Sequence, residues 1–166
     1  RTTDKILNTR DLVEIIKKSK KRNFNNKIDV CTKTFQALRM FINQEVSELM
    51  IGLVEATKLL KIGGKILVVS FHSIEDKIVK HFFKNFSLDK PNTSRYLPRT
   101  NKKNNILFEK FNKIIKPSKK EINTNPPSRS AKLRYAVRCK NNFEFPNEFF
   151  ESFKKYTNLE KIYAKK

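Results

Sequence analysis

The sequence predicts an α/β fold, a slice of a doubly wound sheet, and three observations carry that reading. Residues 35–86 read as helix, strand, helix. The strand between the helices, Lys65-Ile66-Leu67-Val68-Val69-Ser70-Phe71, is a short and nearly continuous apolar run, the pattern of a strand buried on both faces in a parallel sheet. Farther on, Leu133, Tyr135, Val137 and Cys139 alternate with Lys132, Arg134, Ala136 and Arg138, which is strand periodicity with one basic face.

Each element has local grounds. Thr9 is placed to cap a helix reaching about residue 21, with Leu12, Ile15 and Ile16 on its apolar side. The polar stretch 22–29 reads as a loop. Leu38, Ile42, Val46, Leu49, Leu53, Ala56 and Leu60 recur at three- and four-residue steps and predict one long helix over 34–60. Gly63-Gly64 ends it. After the apolar strand, Ser73 is placed as an N-cap, with Glu75 and Asp76 in the first turn. Ile74, Ile78, Val79, Phe82 and Phe83 give that helix an apolar stripe to about Phe86.

Residues 88–105 hold Pro91, Pro98 and much Asn, Ser and Lys, and read as a mobile basic loop. A strand is expected within 106–115. Ser118 and Glu121 form a capping-box pattern for a short helix, which Asn125-Pro126-Pro127 stops. Two strands joined by a short helix fit a closing, antiparallel edge of the sheet. The tail, 143–166, is aromatic and charged, with a helix from about Asn147.

A length of 166 residues is a prior for one domain. The chain starts at Arg1 rather than Met, which reads as a piece of something longer. The formal net charge is +21, and residues 87–140 hold the densest part of it, 15 bases against 3 acids. Such a field favours polyanions, phosphate backbones first among them. Gly52, Gly63 and Gly64 are the only glycines, so no glycine-rich nucleotide loop can be written with them. Cys31 and Cys139 belong to no CxxC pair, which leaves zinc and redox motifs without support and makes two reduced thiols the expectation. No apolar run approaches the ~18 residues of a membrane span, and no stretch has the pattern of a signal peptide. A cytoplasmic location, without membrane or metal, is expected.

Three segments offer chemistry. In Thr32-Lys33-Thr34-Phe35-Gln36-Ala37-Leu38-Arg39, with Asn43 and Glu45 beyond, the residues Gln36, Arg39 and Asn43 share one helix face. By spacing alone this is first a solvated face; as a binding face, Gln and Asn read base edges and Arg holds phosphate. Ser70-Phe71-His72-Ser73-Ile74-Glu75-Asp76 lies at the carboxyl end of the apolar strand, where ligand crevices of open α/β sheets occur. There Glu75 and Asp76 read as helix caps. His72 and Ser70 read equally as turn residues or as groups facing a base. The third segment, Asn125-Pro126-Pro127-Ser128, has Ser128 where the amine-binding motif of amino-methyltransferases has an aromatic. It reads instead as a rigid turn feeding a phosphate-contacting strand through Arg129, Lys132 and Arg134.

Taken together, Thr32-x-Thr-Phe-Gln-Ala-Leu-Arg with Asn43 and Glu45, then Gly63-Gly64-Lys-Ile-x-Val-x-Ser-Phe-His-Ser-x-Glu-Asp, then Ser128-Arg-Ser-Ala-Lys-Leu-Arg, resemble in order and spacing the carboxyl-terminal half of the RsmH (MraW) family. The resemblance covers about residues 1–140. It implies S-adenosylmethionine-dependent methylation of the N(4) amine of a cytosine in 16S rRNA, with the small ribosomal subunit as partner. It implies that residues 1–45 are the end of a helical, RNA-seating insertion. Residues 46–140 are then the fifth to last strands of a Rossmann-like methyltransferase sheet, and 141–166 a tail without counterpart. The family's cofactor site lies upstream, so this chain is expected to be inactive alone and to supply RNA contacts: Lys33, Gln36, Arg39, Asn43, Arg129, Lys132 and Arg134. Ser70 and His72 would line the target-base end. Where members often have His-Pro-Ala, this chain has Asp29-Val30-Cys31, and the family's His finds no equivalent. The competing expectation is a stand-alone basic RNA-binding module without catalysis.

Overall fold

The computed structural model describes residues 5–19, 29–88 and 105–164. The basic loop expected over 88–105 and the polar loop over 22–29 lie outside them, save for their ends. The chain divides into two compact units, one of residues 1–45 with 159–166, the other of residues 46–158.

In the first unit, α1 spans Thr9–Ser19 and α2 spans Thr32–Ile42. The cap of α1 is Asn8 rather than Thr9: Asn8 Oδ1 accepts the N–H groups of Arg10 and Asp11 at 2.8 and 3.2 Å. An Asn side chain satisfies the first-turn donors as well as Thr does. The helix α2 stops at Asn43, and Gln44 takes the left-handed conformation, φ 51°. A new helix, α3, starts at once and spans Glu45–Leu59. The single long helix expected over 34–60 is therefore two. The apolar spacing from Ile42 to Val46 runs across the break and conceals it.

In the second unit, Val46, Met50, Leu53, Val54 and Thr57 form the buried stripe of α3. The chain then turns through Gly63, φ +76°, a conformation that favours glycine. A Cβ at Gly64 would stand 2.8 Å from the carbonyl oxygen of Lys61. The turn leads into β1, Lys65–Ser70, followed by α4, Ser73–Asn85. Next come β2 (Phe108–Phe111), α5 (Lys119–Thr124), a 3-10 turn (Pro126–Ser130) and β3 (Lys132–Arg138). Two helices close the described chain: α6, Asn147–Ser152, and α7, Lys154–Ala164. The expected cap of α5 is present, Ser118 Oγ accepting the Glu121 N–H at 3.1 Å.

The sheet is small and mixed with helices: three strands in the order β1-β3-β2, with β3 antiparallel to both neighbours. Lys65 pairs with Val137 and Ser70 with Lys132. The apolar strand is thus an edge strand among the described residues, not one buried on both faces. Leu67 and Val69 are 60% and 54% exposed, whereas Ile66 and Ser70 are buried. A four-residue apolar core in a run this short cannot by itself distinguish the two cases.

The alternation of β3 is as expected, but its basic face points inward. Arg134, Ala136 and Arg138 are buried, while Leu133 and Tyr135 are half-buried on the other side. Burial is tolerable because each guanidinium is bonded. Arg138 donates to the carbonyl oxygens of Leu107, Cys139 and Asn141 at 2.9, 3.3 and 2.8 Å. Against the same face, α4 sets Phe82 and Phe83, each about 5.5 Å or less from the ring of Phe108. The tail adds Phe149, fully buried, with its ring centroid 4.6 Å from that of Phe82.

Candidate functional site

The turn from β1 into α4 is fixed by its own side chains. His72 is the N-cap, in place of Ser73: its Nδ1 accepts the Glu75 N–H at 3.4 Å. Glu75 returns the bond, Oε2 accepting the N–H groups of Phe71 and His72 at 2.9 and 3.3 Å. The other ring nitrogen, His72 Nε2, stands 3.1 Å from Glu75 Oε1. An extended backbone at His72, φ −133° and ψ 166°, lets the imidazole act as a cap acceptor in the manner of Ser or Asp. Ser70 is buried, and its Oγ donates to the carbonyl oxygen of Lys132 at 3.4 Å.

One residue further, Asp76 does more than cap. Arg134 Nε donates to Asp76 Oδ1 at 2.7 Å and Lys132 Nζ to Asp76 Oδ2 at 3.3 Å. Burial pushes this carboxyl up, and the hydrogen bonds and charges of Arg134 and Lys132 outweigh it, holding its pKa below the usual aspartate value. Asp76 therefore bolts the first turn of α4 to β3. Sequence reasoning missed this role; the available signal was an acid in a helical first turn together with a strand that has one basic face.

The structure places the other expected contacts as follows. Arg134 is buried on Asp76, and Lys132 is half-buried beside it. Arg129 is exposed on the 3-10 turn. In the first unit, Lys33, Arg39 and Asn43 are exposed along α2 and Gln36 is half-buried. Arg39 holds Glu45 through two bonds, Nε to Oε1 at 2.7 Å and Nη2 to Oε2 at 3.1 Å. At the start of α2, Asp29, Cys31, Thr32, Phe35, Gln36 and Arg39 line an open concavity of about 480 Å3. Asp29 Oδ1 accepts the Cys31 N–H at 2.7 Å, and this bond first of all lowers the Asp29 pKa.

The sequence of the chain is similar to that of known proteins. The sequence profile of the MraW methylase family matches residues 1–139. The ribosomal RNA small subunit methyltransferase H of Anaplasma phagocytophilum (strain HZ) is 45% identical over 137 residues, 82% of this chain and 41% of the relative. The protein of the same name from Ehrlichia chaffeensis is 45% identical over 130 residues, 78% of this chain and 40% of the relative. That from Hyphomonas neptunium is 41% identical over 131 residues, 78% of this chain and 38% of the relative. The chain spans about two fifths of the length of these curated relatives.

Proposed function

The chain belongs to the MraW methylase family, and on that premise we propose that it is the RNA-seating part of an S-adenosylmethionine-dependent methyltransferase acting on the N(4) amine of a cytosine in 16S rRNA of the small ribosomal subunit. The observation that carries this reading is a single one: the three motif segments, from Thr32 to Arg134, lie in order inside the profile match over residues 1–139. When bound, the cofactor supplies a methyl group on a sulfonium. Residues of this chain do not fit a glycine-rich cofactor loop, since Gly52 lies within α3 and Gly63 and Gly64 form the turn into β1. A glycine-rich cofactor loop therefore belongs to residues other than these.

What this chain contributes is placement. An amine reacts with a methyl donor only when held in line with it, and holding the RNA is the larger part of that task. Lys33, Arg39, Arg129 and Lys132 supply charge toward phosphates, and Gln36 and Asn43 supply amides toward base edges. Arg134 acts through Asp76, which keeps Lys132 and the turn bearing Ser70 and His72 in register with β3. That turn, at the carboxyl end of β1, is the proposed target-base end. The two exposed side chains Leu67 and Val69, together with the unpaired edge of β1 among the described residues, support a Rossmann-like sheet of which β1, β3 and β2 are the last strands.

Fluorescence anisotropy with a labelled small-subunit rRNA fragment tests the reading. Affinity should fall by about 10³-fold or more between 50 and 200 mM salt if six or more phosphates are contacted. No binding at about 50 mM salt, or binding indifferent to salt, would refute it. Calorimetry on the chain alone should show no uptake of S-adenosylmethionine.

A further inference from the structure

The concavity at the start of α2 is lined by an unusual set for a chain this basic. Phe35 offers a ring, Gln36 an amide, Asp29 a carboxylate and Arg39 a guanidinium. At about 480 Å3 it is within the range of sites that hold a small ring system, roughly 300–1,000 Å3. We propose that this concavity binds one unpaired base of the substrate RNA that carries an exocyclic amine, cytosine, adenine or guanine rather than uracil, stacked on Phe35 and read by Asp29 and Gln36. The inference rests on the RNA-seating reading above and adds a site and a base preference to it.

The chemistry selects the occupant. A half-buried aromatic at a solvent-open concavity is a stacking platform, and sequence-specific RNA recognition acts mainly on unpaired bases stacked in this way. A carboxylate accepts from an amine, as in recognition of the cytosine amine by Asp or Glu. An aspartate is a carboxylate at neutral pH, and the Cys31 N–H lowers the Asp29 pKa further, so Asp29 is acceptor-only. Uracil would turn a carbonyl oxygen toward that carboxylate and be repelled. A phosphate in the concavity would meet the same repulsion, which excludes the start of α2 as an anion site despite its helix dipole. Gln36 donates and accepts, so its amide can donate to the ring nitrogen beside the exocyclic amine. Arg39, oriented by two bonds to Glu45, brings positive charge to the backbone on either side of the base.

The test uses the full chain and unstructured RNA octamers of cytidine, adenosine and uridine, read by anisotropy at about 50 mM salt, the low end of the range over which phosphate contacts are strong. The wild type should bind the cytidine and adenosine octamers about 5-fold or more tighter than the uridine octamer. Phe35→Leu should weaken binding to the cytidine octamer by about 5-fold or more. Asp29→Asn retains an oxygen for the Cys31 N–H, so α2 keeps its start, and it should abolish the preference over uridine. Circular dichroism confirms that each variant is folded. Equal binding of the three octamers, or an unchanged preference in Asp29→Asn, overturns the site while salt-dependent binding keeps the RNA reading. Failure of every octamer and of the rRNA fragment to bind overturns both.

Discussion

The two faces of the three-stranded sheet are made from the same two strands, one residue out of step, and they differ in almost every respect. Under α4, Ile66, Ser70, Ala136 and Arg138 are buried, Phe82, Phe83, Phe108 and Phe149 fill the space, and both arginines of β3 are hydrogen-bonded. On the opposite face, Leu67 and Val69 are more than half exposed, and Leu133 and Tyr135, their partners in register, are half-buried. On β3 the arginine-bearing face is therefore interior, and on its other face Leu133 and Tyr135 stay half-buried while Val137 and Cys139 are buried. The difference teaches that residue polarity does not decide which face closes. What decides is whether polar groups find partners, and Asp76 together with the carbonyls of Leu107, Cys139 and Asn141 provides them. The open apolar face in turn matches a sheet that continues in the proposed whole enzyme.

The strongest way to break the closed face is Phe82→Ala. Its ring is fully buried and touches Phe83, Phe86, Phe108 and Phe149. Loss of such a side chain costs about 3–5 kcal/mol. Urea unfolding followed by circular dichroism measures it, and a loss under about 1 kcal/mol would mean that the aromatic cluster is not what closes the face.

Next in size is the Asp76 bolt. Asp76→Ala leaves Arg134 buried without its carboxylate and should cost about 3 kcal/mol at neutral pH. Arg134→Met removes the charge together with its need for a partner and should cost less. The pH dependence has a definite sign. Because the folded pKa of Asp76 is lowered, its contribution is fully present above the ordinary aspartate pKa and is lost as pH falls through the depressed folded value. Unfolding curves of wild type and Asp76→Asn should converge in acid and separate at neutral pH. Curves equally separated at both would sink the assignment.

These contrasts also explain what the sequence could and could not disclose. The period-2 pattern of 132–139 located β3 to within a residue, and Gly63-Gly64 located the turn into β1, because both are local signals. Which side of β3 faces the interior is not local: it depends on Asp76, 58 positions from Arg134. The break at Gln44 was hidden because Ile42 and Val46 keep helical spacing across it. The packing of Phe149 on Phe82 joins the tail to α4, and no periodicity in 143–158 announces it. In the candidate site, the proposed contact residues on α2 and the turn 70–76 stand out in the sequence as motifs. The inward turn of Arg134 and the capping role of His72 were not, since both are settled by partners that only the fold brings near.

A smaller effect sharpens the comparison at the outer side of α4. His81 stacks against Phe149 and meets Phe153 edge-on. Burial, and then the charge of Lys77, lower its pKa from 6.5. A His held neutral in the folded state stabilises fully above the unfolded pKa, and that stability is lost as pH falls toward the depressed folded value. Stability should therefore decline below about pH 6.5, and His81→Gln should flatten the decline. The effect should be smaller than that of Asp76, since the ring is only partly buried. An unchanged slope in His81→Gln would remove the tail from the closed face's energetics.

The smallest expected change is the most informative, because it compares neighbours on one strand. Ile66→Ala deletes a side chain that is 9% exposed and should cost about 2 kcal/mol or more. Leu67→Ala, one residue on, deletes one that is 60% exposed and should stay within about 0.5 kcal/mol. Backbone, strand register and pairing partner strand are common to both, so the ratio isolates burial on the two faces. The same pair made in a complete relative at the matching positions provides the sharper half of the test. If the apolar face is covered there by further sheet and helix, the Leu67 equivalent must rise toward the cost of the Ile66 equivalent, and its deletion must lower the unfolding midpoint. A Leu67 equivalent that stays neutral in the complete enzyme would mean that this face remains open there.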